Sequence, residues 1–371
     1  MVTFDALKYP ALAAIVEPQV LRPLGDLGFL DEVIETDNGT EVTLVLPASN
    51  WPQREYLEGQ IQAVVPNATL RVRTMNEEEL LSLRNFLRGS MTGTATPGEH
   101  GHGSDQPKFL DRLSKTRVLG ISSGKGGVGK SSVTVNLAIS LAQQGYQVGV
   151  LDADVYGFSL PKMLGAVADP IVLGDTVLPT LAHGVRCVSM GYFVPDEQPV
   201  IWRGPMLHKA IEQLVTEAWW DEPDFLLIDM PPGTGDVALT LSEILPRIEM
   251  YVVTTPQAAA QRVAQRSAYA ARKLKLSVRG VIENMSWFRG DDAKRYEIFG
   301  SGGGEMLARD LGIALLGQIP LETPLREGGD VGVPVVISHP QSEAALAFGE
   351  LARKVAAQGP ARVYRQELRL L

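Results

Sequence analysis

Thr116-Arg117-Val118-Leu119-Gly120-Ile121-Ser122-Ser123-Gly124-Lys125-Gly126-Gly127-Val128-Gly129-Lys130-Ser131 is the most informative run in the chain. Val118 to Ile121 is a short apolar segment, expected as a buried strand that stops at Ser122 and Ser123. Gly124 to Ser131 fits G-x-x-x-x-G-K-[ST] at every fixed position. Beyond it Val133, Leu137 and Leu141 recur every four residues, which gives a helix one apolar stripe. Strand, glycine loop and helix in that order form the setting in which this motif binds phosphate.

The residue types account for the chemistry. Gly124, Gly126, Gly127 and Gly129 let backbone N–H groups around Val128 turn inward on phosphate oxygens without a Cβ in the way. The helix start at Ser131 and Ser132 adds partial positive charge. Lys130 has the reach for the β- and γ-phosphates, and the Ser131 hydroxyl is placed to ligate Mg²⁺. The same glycines also spell G-x-G-x-x-G, the dinucleotide fingerprint, and an aspartate, Asp152 or Asp154, ends the next strand where such folds grip a ribose. That fingerprint has no need of Lys-Ser after its last glycine, so the triphosphate reading is favoured.

From this centre the rest of the chain falls into order. The expected fold class is α/β, a mainly parallel sheet wrapped by helices, behind a small N-terminal α+β domain. Residues 1–88 read as that small domain. Phe4 to Val16 has helical spacing, and Phe29–Glu35 and Val42–Leu46 read as strands around an Asn38-Gly39 turn. Arg54–Val65 reads as a helix, Thr69–Arg73 as a strand and Glu77–Leu87 as a closing helix. Residues 89–115 are rich in Gly, Ser, Thr and Pro and read as a flexible linker, His100 and His102 included. The main domain runs from 116 to 358, with strands at Val148–Leu151, Val185–Met190, Phe225–Asp229, Met250–Thr254, Val278–Ile282 and Ala314–Ile319. Residues 359–371 form a basic, amphipathic tail, expected as an exposed or packed terminus.

Composition narrows the partners. A net charge of −9 argues against a general nucleic-acid binder, which needs a basic face. The one cysteine, Cys187, excludes an intramolecular disulfide and fits a reducing compartment. Met1 to Leu21 lacks the form of a secretory leader, and no apolar run approaches 18 residues, so a cytoplasmic protein without stable membrane association is expected. Cys187 lies in an apolar strand and reads as a small core residue.

Three carboxylates complete the candidate site. Asp229 follows four apolar residues, as a Mg²⁺-holding strand-end aspartate does. Asp152 and Asp154 are separated by one residue, which suits one to the metal side and the other to orienting the attacking water; both are equally residue types that cap turns. Lys125, a second lysine inside the loop, is either an added cation for γ-phosphate charge or a solvated side chain.

Gly124 to Ser131 resembles the deviant Walker A loop of the MinD/ParA group of P-loop ATPases. Leu151-Asp-Ala-Asp-Val-Tyr-Gly157, Trp202-Arg-Gly-Pro-Met206, Asp229-Met-Pro-Pro-Gly-Thr-Gly-Asp236, Thr254-Thr-Pro-Gln257, Glu283-Asn-Met-Ser286, Ile298-Phe-Gly-Ser-Gly-Gly-Gly304 and Ile319-Pro-Leu-Glu-Thr-Pro-Leu-Arg-Glu-Gly-Gly-Asp330 narrow this to Mrp-type iron–sulfur cluster carriers. Residues 1–88 resemble, more loosely, the small iron–sulfur-assembly-associated domain fused ahead of such ATPases. The resemblance implies an ATP- and Mg²⁺-dependent hydrolase, a homodimer, and a [4Fe–4S] cluster passed to apoprotein clients. It implies that Lys125 reaches the partner subunit's nucleotide, and that Lys130 and Ser131 hold phosphate and Mg²⁺. It further implies that Asp154 orients water, that Asp152 and Asp229 stand on the metal side and that Asn284 recognises adenine. A cluster-free ATP-switched dimer binding a client or regulator, and a MinD/ParA-like positioning ATPase, are the alternatives. Such carriers place Cys-x-x-Cys between the Glu-Asn-Met-Ser and Ile-Phe-Gly blocks; here the segment reads Trp287-Phe-Arg-Gly-Asp-Asp-Ala-Lys-Arg-Tyr-Glu297, without cysteine.

Overall fold

The computed structural model describes residues 4–37, 39–92, 107–111, 114–155, 157–193, 204–233 and 235–361. The expectations for Asn38, for His100 and His102, for the Trp202-Arg203 pair and for most of the tail lie outside them. The chain divides into two compact units, one of residues 107–169 and 180–371, the other of residues 1–106 and 170–179.

In the larger unit the described elements are β1 (Arg117–Ser123), α1 (Lys130–Gln143), β2 (Val148–Asp152), α2 (Leu160–Leu164), β3 (Thr180–Ala182) and β4 (Val185–Ser189). Then come α3 (Gly204–Thr216), β5 (Phe225–Asp229), α4 (Asp236–Ile244), β6 (Glu249–Thr254), α5 (Ala258–Lys273) and β7 (Ser277–Arg289). The series closes with β8 (Arg295–Tyr296), α6 (Gly303–Leu311), β9 (Ala314–Leu321), α7 (Thr323–Val331), a single helical turn at Val335–Ser338 and α8 (Glu343–Ala357). Among the described residues the strands form one sheet in the order β3-β4-β2-β5-β1-β6-β7, with β8 and β9 both pairing β7. Only the pairings of β3 and β8 are antiparallel.

Helices cover both faces, because each strand alternates its side chains between them. Val253 and Ile282 pack in the large core with Leu137, Leu141, Phe348 and Leu351 of α1 and α8. Their neighbours Val252 and Val281 point the other way, onto Ala264, Ala268 and Leu307 of α5 and α6. Strands buried on both faces read as unbroken apolar runs, and Phe225-Leu226-Leu227-Ile228 is one, every residue buried. At the opposite end of the sheet from the glycine loop, Arg117 of β1 is buried against Glu249 of β6, with Nη2 to Oε2 at 2.7 Å. Arg117 also donates to the Val355 carbonyl of α8 at 2.7 Å, which ties that helix to the sheet.

The smaller unit holds a three-stranded sheet of Leu30–Thr36, Gly39–Leu46 and Thr69–Thr74, the first pair antiparallel and the second parallel. Helices Arg54–Val64 and Glu77–Thr92 accompany it, and Leu44, Leu46, Leu57, Ile61, Leu83 and Leu87 are among its buried apolar residues. The hairpin Ile171–Leu178 belongs to this unit, where Asp175 pairs with Arg84 and Arg88 at 2.8 Å each. The helix expected over Phe4–Val16 is confined to Pro10–Ala13. Pro10 has no N–H to continue a helix backwards, so it serves as a first-turn residue instead.

The strand expected to end at Ile282 continues to Arg289. Met285 interrupts it with φ +57, and the register with β9 shifts between Asn284 and Phe288. The irregularity re-aims the side chains around it, as bulges do.

Candidate nucleotide-binding site

Three neighbouring strands deliver their ends to one place. β1 runs into the glycine loop, β2 ends at Asp152 and β5 at Asp229. Register sets Asp229 opposite Asp152 on one side and opposite Ile121 on the other. Parallel strands carry their chemistry at the carboxyl edge, where the following loops diverge.

Two glycines of the loop are required for different reasons. Gly129 caps α1 with φ +78, and a side chain there would overlap the Asn284 amide. Gly124 is packed against the α5 backbone at Val263 and Ala264, which leaves no room for a Cβ. The loop frames a cleft of about 290 Å³ whose walls include Lys125 to Ser132, Asp154 and Pro232. Amides in the first turn of a helix have no helical acceptor, and the first turn of α1 edges this cleft.

Lys130 is buried between carboxylates. Its Nζ lies 2.5 Å from Asp229 Oδ2 and 3.6 Å from Asp154 Oδ2. The Ser131 hydroxyl donates to the same Asp229 Oδ2 at 2.6 Å. Thr134, which the sequence reading passed over, donates from Oγ1 to the other oxygen, Oδ1, at 2.6 Å. Its signal was present: Thr134 lies four residues beyond Lys130, hence on the same face of α1. Asp229 is fully buried, so three donors are the compensation its charge needs.

Asp152 is also fully buried but is occupied differently. Oδ1 accepts from the Asp154 amide at 3.2 Å, and Oδ2 accepts from the amides of Ser159 at 3.0 Å and Leu160 at 3.1 Å. The Ser189 hydroxyl adds a contact to Oδ2 at 3.3 Å. Burial, and then the neighbouring Asp229 charge, push the Asp152 carboxyl up to about 7. Asp152 thus braces the loop that carries Asp154, and it is Asp154 that reaches the cleft wall.

Asn284 lies beneath the glycine loop. Its Nδ2 donates to the Val128 carbonyl at 2.9 Å, while its Oδ1 is buried without a hydrogen-bond partner. Lys125 extends along the loop to Gln257 at the start of α5, Nζ to Oε1 3.3 Å. Glu283, assigned no site role from the sequence, is buried, accepting from Ser286 and Gln318 at 2.9 Å each and from the Gly304 amide at 2.5 Å.

Cys187 sits in the middle of β4, fully buried, and burial pushes its thiol up to about 12. The 287–297 segment is a hairpin in which Phe288 pairs with Tyr296 and Arg289 with Arg295. The Gly290 amide donates to the Lys294 carbonyl at 3.0 Å, Arg289 pairs with Glu343, and the Arg295 guanidinium lies 4.2 Å from the Trp287 ring centre. Among the described residues no group of three or more His, Cys, Asp or Glu is arranged to hold a metal. An iron–sulfur cluster, which takes thiolate ligands, finds no ligand set here. Mg²⁺ is a different case, since it binds through one or two carboxylates together with phosphate oxygens. Ser131 and Asp229 fit that donor set.

A family model described as ParA, NUBPL iron-transfer P-loop NTPase, matches residues 114–356. The chain belongs to that family. Among relatives, the iron-sulfur cluster carrier protein of Mycobacterium leprae is 39% identical over 345 residues, 90% of this chain and 87% of the relative. The carrier protein of Synechocystis sp. is 38% identical over 366 residues, 96% and 98% of the two chains. Of solved structures, a nucleotide-binding protein from Archaeoglobus fulgidus in complex with ADP matches 63% of this chain and 93% of its own, at 31% identity and a TM-score of 0.54. The septum site-determining protein MinD from Pyrococcus horikoshii, complexed with Mg-ADP, matches 67% and 100%, at 27% identity and a TM-score of 0.51. The mainly parallel, helix-covered sheet expected from the sequence is the fold of these P-loop NTPases. No helix among the described residues is long and apolar enough to cross a membrane.

Proposed function

We propose that this protein binds Mg·ATP in the glycine loop, hydrolyses it slowly, and uses the cycle as a switch in iron–sulfur delivery to apoprotein clients. The observation that carries the reading is the convergence of Lys130 and Ser131 on one oxygen of Asp229 at the carboxyl edge of the sheet. In this reading Lys130 exchanges Asp229 for phosphate oxygens, and the amides from Gly124 to Ser132 close on the polyphosphate. Ser131 and Asp229 hold Mg²⁺, with Asp152 behind them. Mg²⁺ supplies charge neutralisation on the β- and γ-phosphate oxygens. Asp154, on the cleft wall, orients the attacking water. Lys125 acts across a homodimer on the partner's nucleotide, and Asn284 holds the loop and faces the adenine side. The protein works in the cytoplasm.

The names of the relatives support the iron–sulfur assignment. The cluster is cargo, and its thiolates come from a client or partner, because the chain's one cysteine is buried in β4. That same burial favours a second reading, in which the ATP-driven dimer engages its client with no cluster at all. Anaerobic reconstitution with iron and sulfide, with and without a thiol-bearing client, separates the two. Iron bound only in the presence of client supports delivery, and no iron in either case leaves the cluster-free switch. Absence of ATP turnover in the wild-type protein would overturn both.

A further inference from the structure

Asp229 has two oxygens in different circumstances. Oδ2 receives Lys130 and Ser131, the two groups that the nucleotide reading draws toward phosphate and Mg²⁺. Among the described residues, the side-chain hydrogen bond that Oδ1 receives is from the Thr134 hydroxyl, at 2.6 Å. Thr134 itself is fully buried on α1. Its hydroxyl also lies 3.0 Å from the Lys130 carbonyl, the usual partner of a helical threonine one turn back. One hydroxyl proton serves one acceptor well, and the shorter contact to a charged oxygen is the stronger.

We infer that Thr134 is a positioning residue that fixes the rotation of the Asp229 carboxylate, so that Oδ2 and not Oδ1 is presented to Mg²⁺. The inference rests on the Mg·ATP reading above. When Lys130 and Ser131 turn to phosphate and metal, Thr134 is the donor that stays. It is anchored in the body of α1, one turn below the loop, and so is not displaced by ligand. Without it, Asp229 is a buried carboxylate that rotates freely between orientations, and only some of them offer an oxygen to the metal. The cost falls on metal affinity and not on the phosphate contacts made by the loop amides and Lys130.

The test is a fluorescence titration of the full chain with mant-ADP, once in excess EDTA and once in saturating Mg²⁺, followed by a Mg²⁺ titration at fixed mant-ADP. Thr134→Val removes the hydroxyl, and Thr134→Ser keeps it. The expected result for the valine variant is an unchanged affinity in EDTA and about a tenfold higher Mg²⁺ concentration at half-effect, the scale of one hydrogen bond to a charged group. The serine variant stays within about twofold of wild type, since the donor is retained. Thr134→Ala serves if the valine variant does not accumulate. A valine or alanine variant with wild-type Mg²⁺ dependence overturns the inference. So does an equal loss in the serine variant, which would mark a packing role. Wild-type protein that binds no mant-ADP would instead overturn the nucleotide reading, a separate outcome.

Discussion

Lys130 is paired with Asp229 and Asp154 before any phosphate arrives, the partners that a lysine with 7% of its side chain exposed needs. Lys125 is in other circumstances: it is half-buried, and its ammonium bonds the side-chain amide of Gln257. Lys125→Ala is therefore expected to bind mant-ATP within about threefold of wild type, the effect of losing one outer contact. Its hydrolysis and its ATP-dependent dimerisation are expected to fall; unchanged turnover together with unchanged sedimentation in ATP would remove the cross-subunit role. Cys187 was readable as a core residue from its apolar neighbours, and its thiol, raised to about 12, stays protonated at neutral pH. Iodoacetamide at pH 8 is expected to leave the native protein unlabelled and to label the unfolded chain once, read by intact mass. The role of Thr134 was not legible in the same way, because a buried hydroxyl acquires meaning only from the strand end that it faces.

At the scale of elements, the agreement is best where pattern and burial coincide. The apolar runs ending at Asp229 and Thr254 became β5 and β6 with the expected ends, since a strand buried on both faces cannot slip without drawing flanking charged residues into the core. Their order across the sheet was not readable, because crossover lengths leave several arrangements open. β7 outran its apolar signal because Glu283 and Asn284 are buried polar residues bonded to Gln318, Gly304 and Val128, neighbours distant in sequence, which a local hydropathy pattern scores as loop. The junction of β1 and α5 supports a direct test. Gly124→Ala places a methyl into the α5 backbone, and a destabilisation of about 2 kcal/mol is expected from overpacking of this kind. Thermal melting without nucleotide checks it, and a melting temperature equal to wild type would contradict the packing described. Arg117→Met leaves the Glu249 carboxylate buried with weaker compensation, at a cost of about 3 kcal/mol, read from urea unfolding; a midpoint equal to wild type would contradict that pairing.

For the whole molecule, the sheet that positions the strand-end aspartates also stores protonation free energy. Cys187 and Tyr251 are each raised to about 12, both first by burial. In the unfolded chain these groups lose their protons near their ordinary values, about 8.5 and 10. Between those values and 12 the folded protein binds more protons than the unfolded one, so stability falls as pH rises across that window. Melting temperature is expected to decline from about pH 9 upward, and a Cys187→Ala variant to decline less steeply between pH 9 and 10. A flat profile to pH 11 would contradict the burial of these groups. The hairpin Ile171–Leu178, well beyond the linker that precedes the large sheet, packs within the smaller unit. Linear reading assigned it to its neighbours in sequence, because nothing local in Ile171–Leu178 reports the arginines that meet Asp175.

The nucleotide site itself is tested most directly by equilibrium titration of Mg·ATP into the wild-type chain and Lys130→Ala in parallel, with NAD⁺ as the competing ligand. Saturable binding of one ATP per chain, weakened about a hundredfold or more in the variant and untouched by NAD⁺, is the predicted result. Equal ATP affinity in the two proteins, or displacement of ATP by NAD⁺, would contradict it.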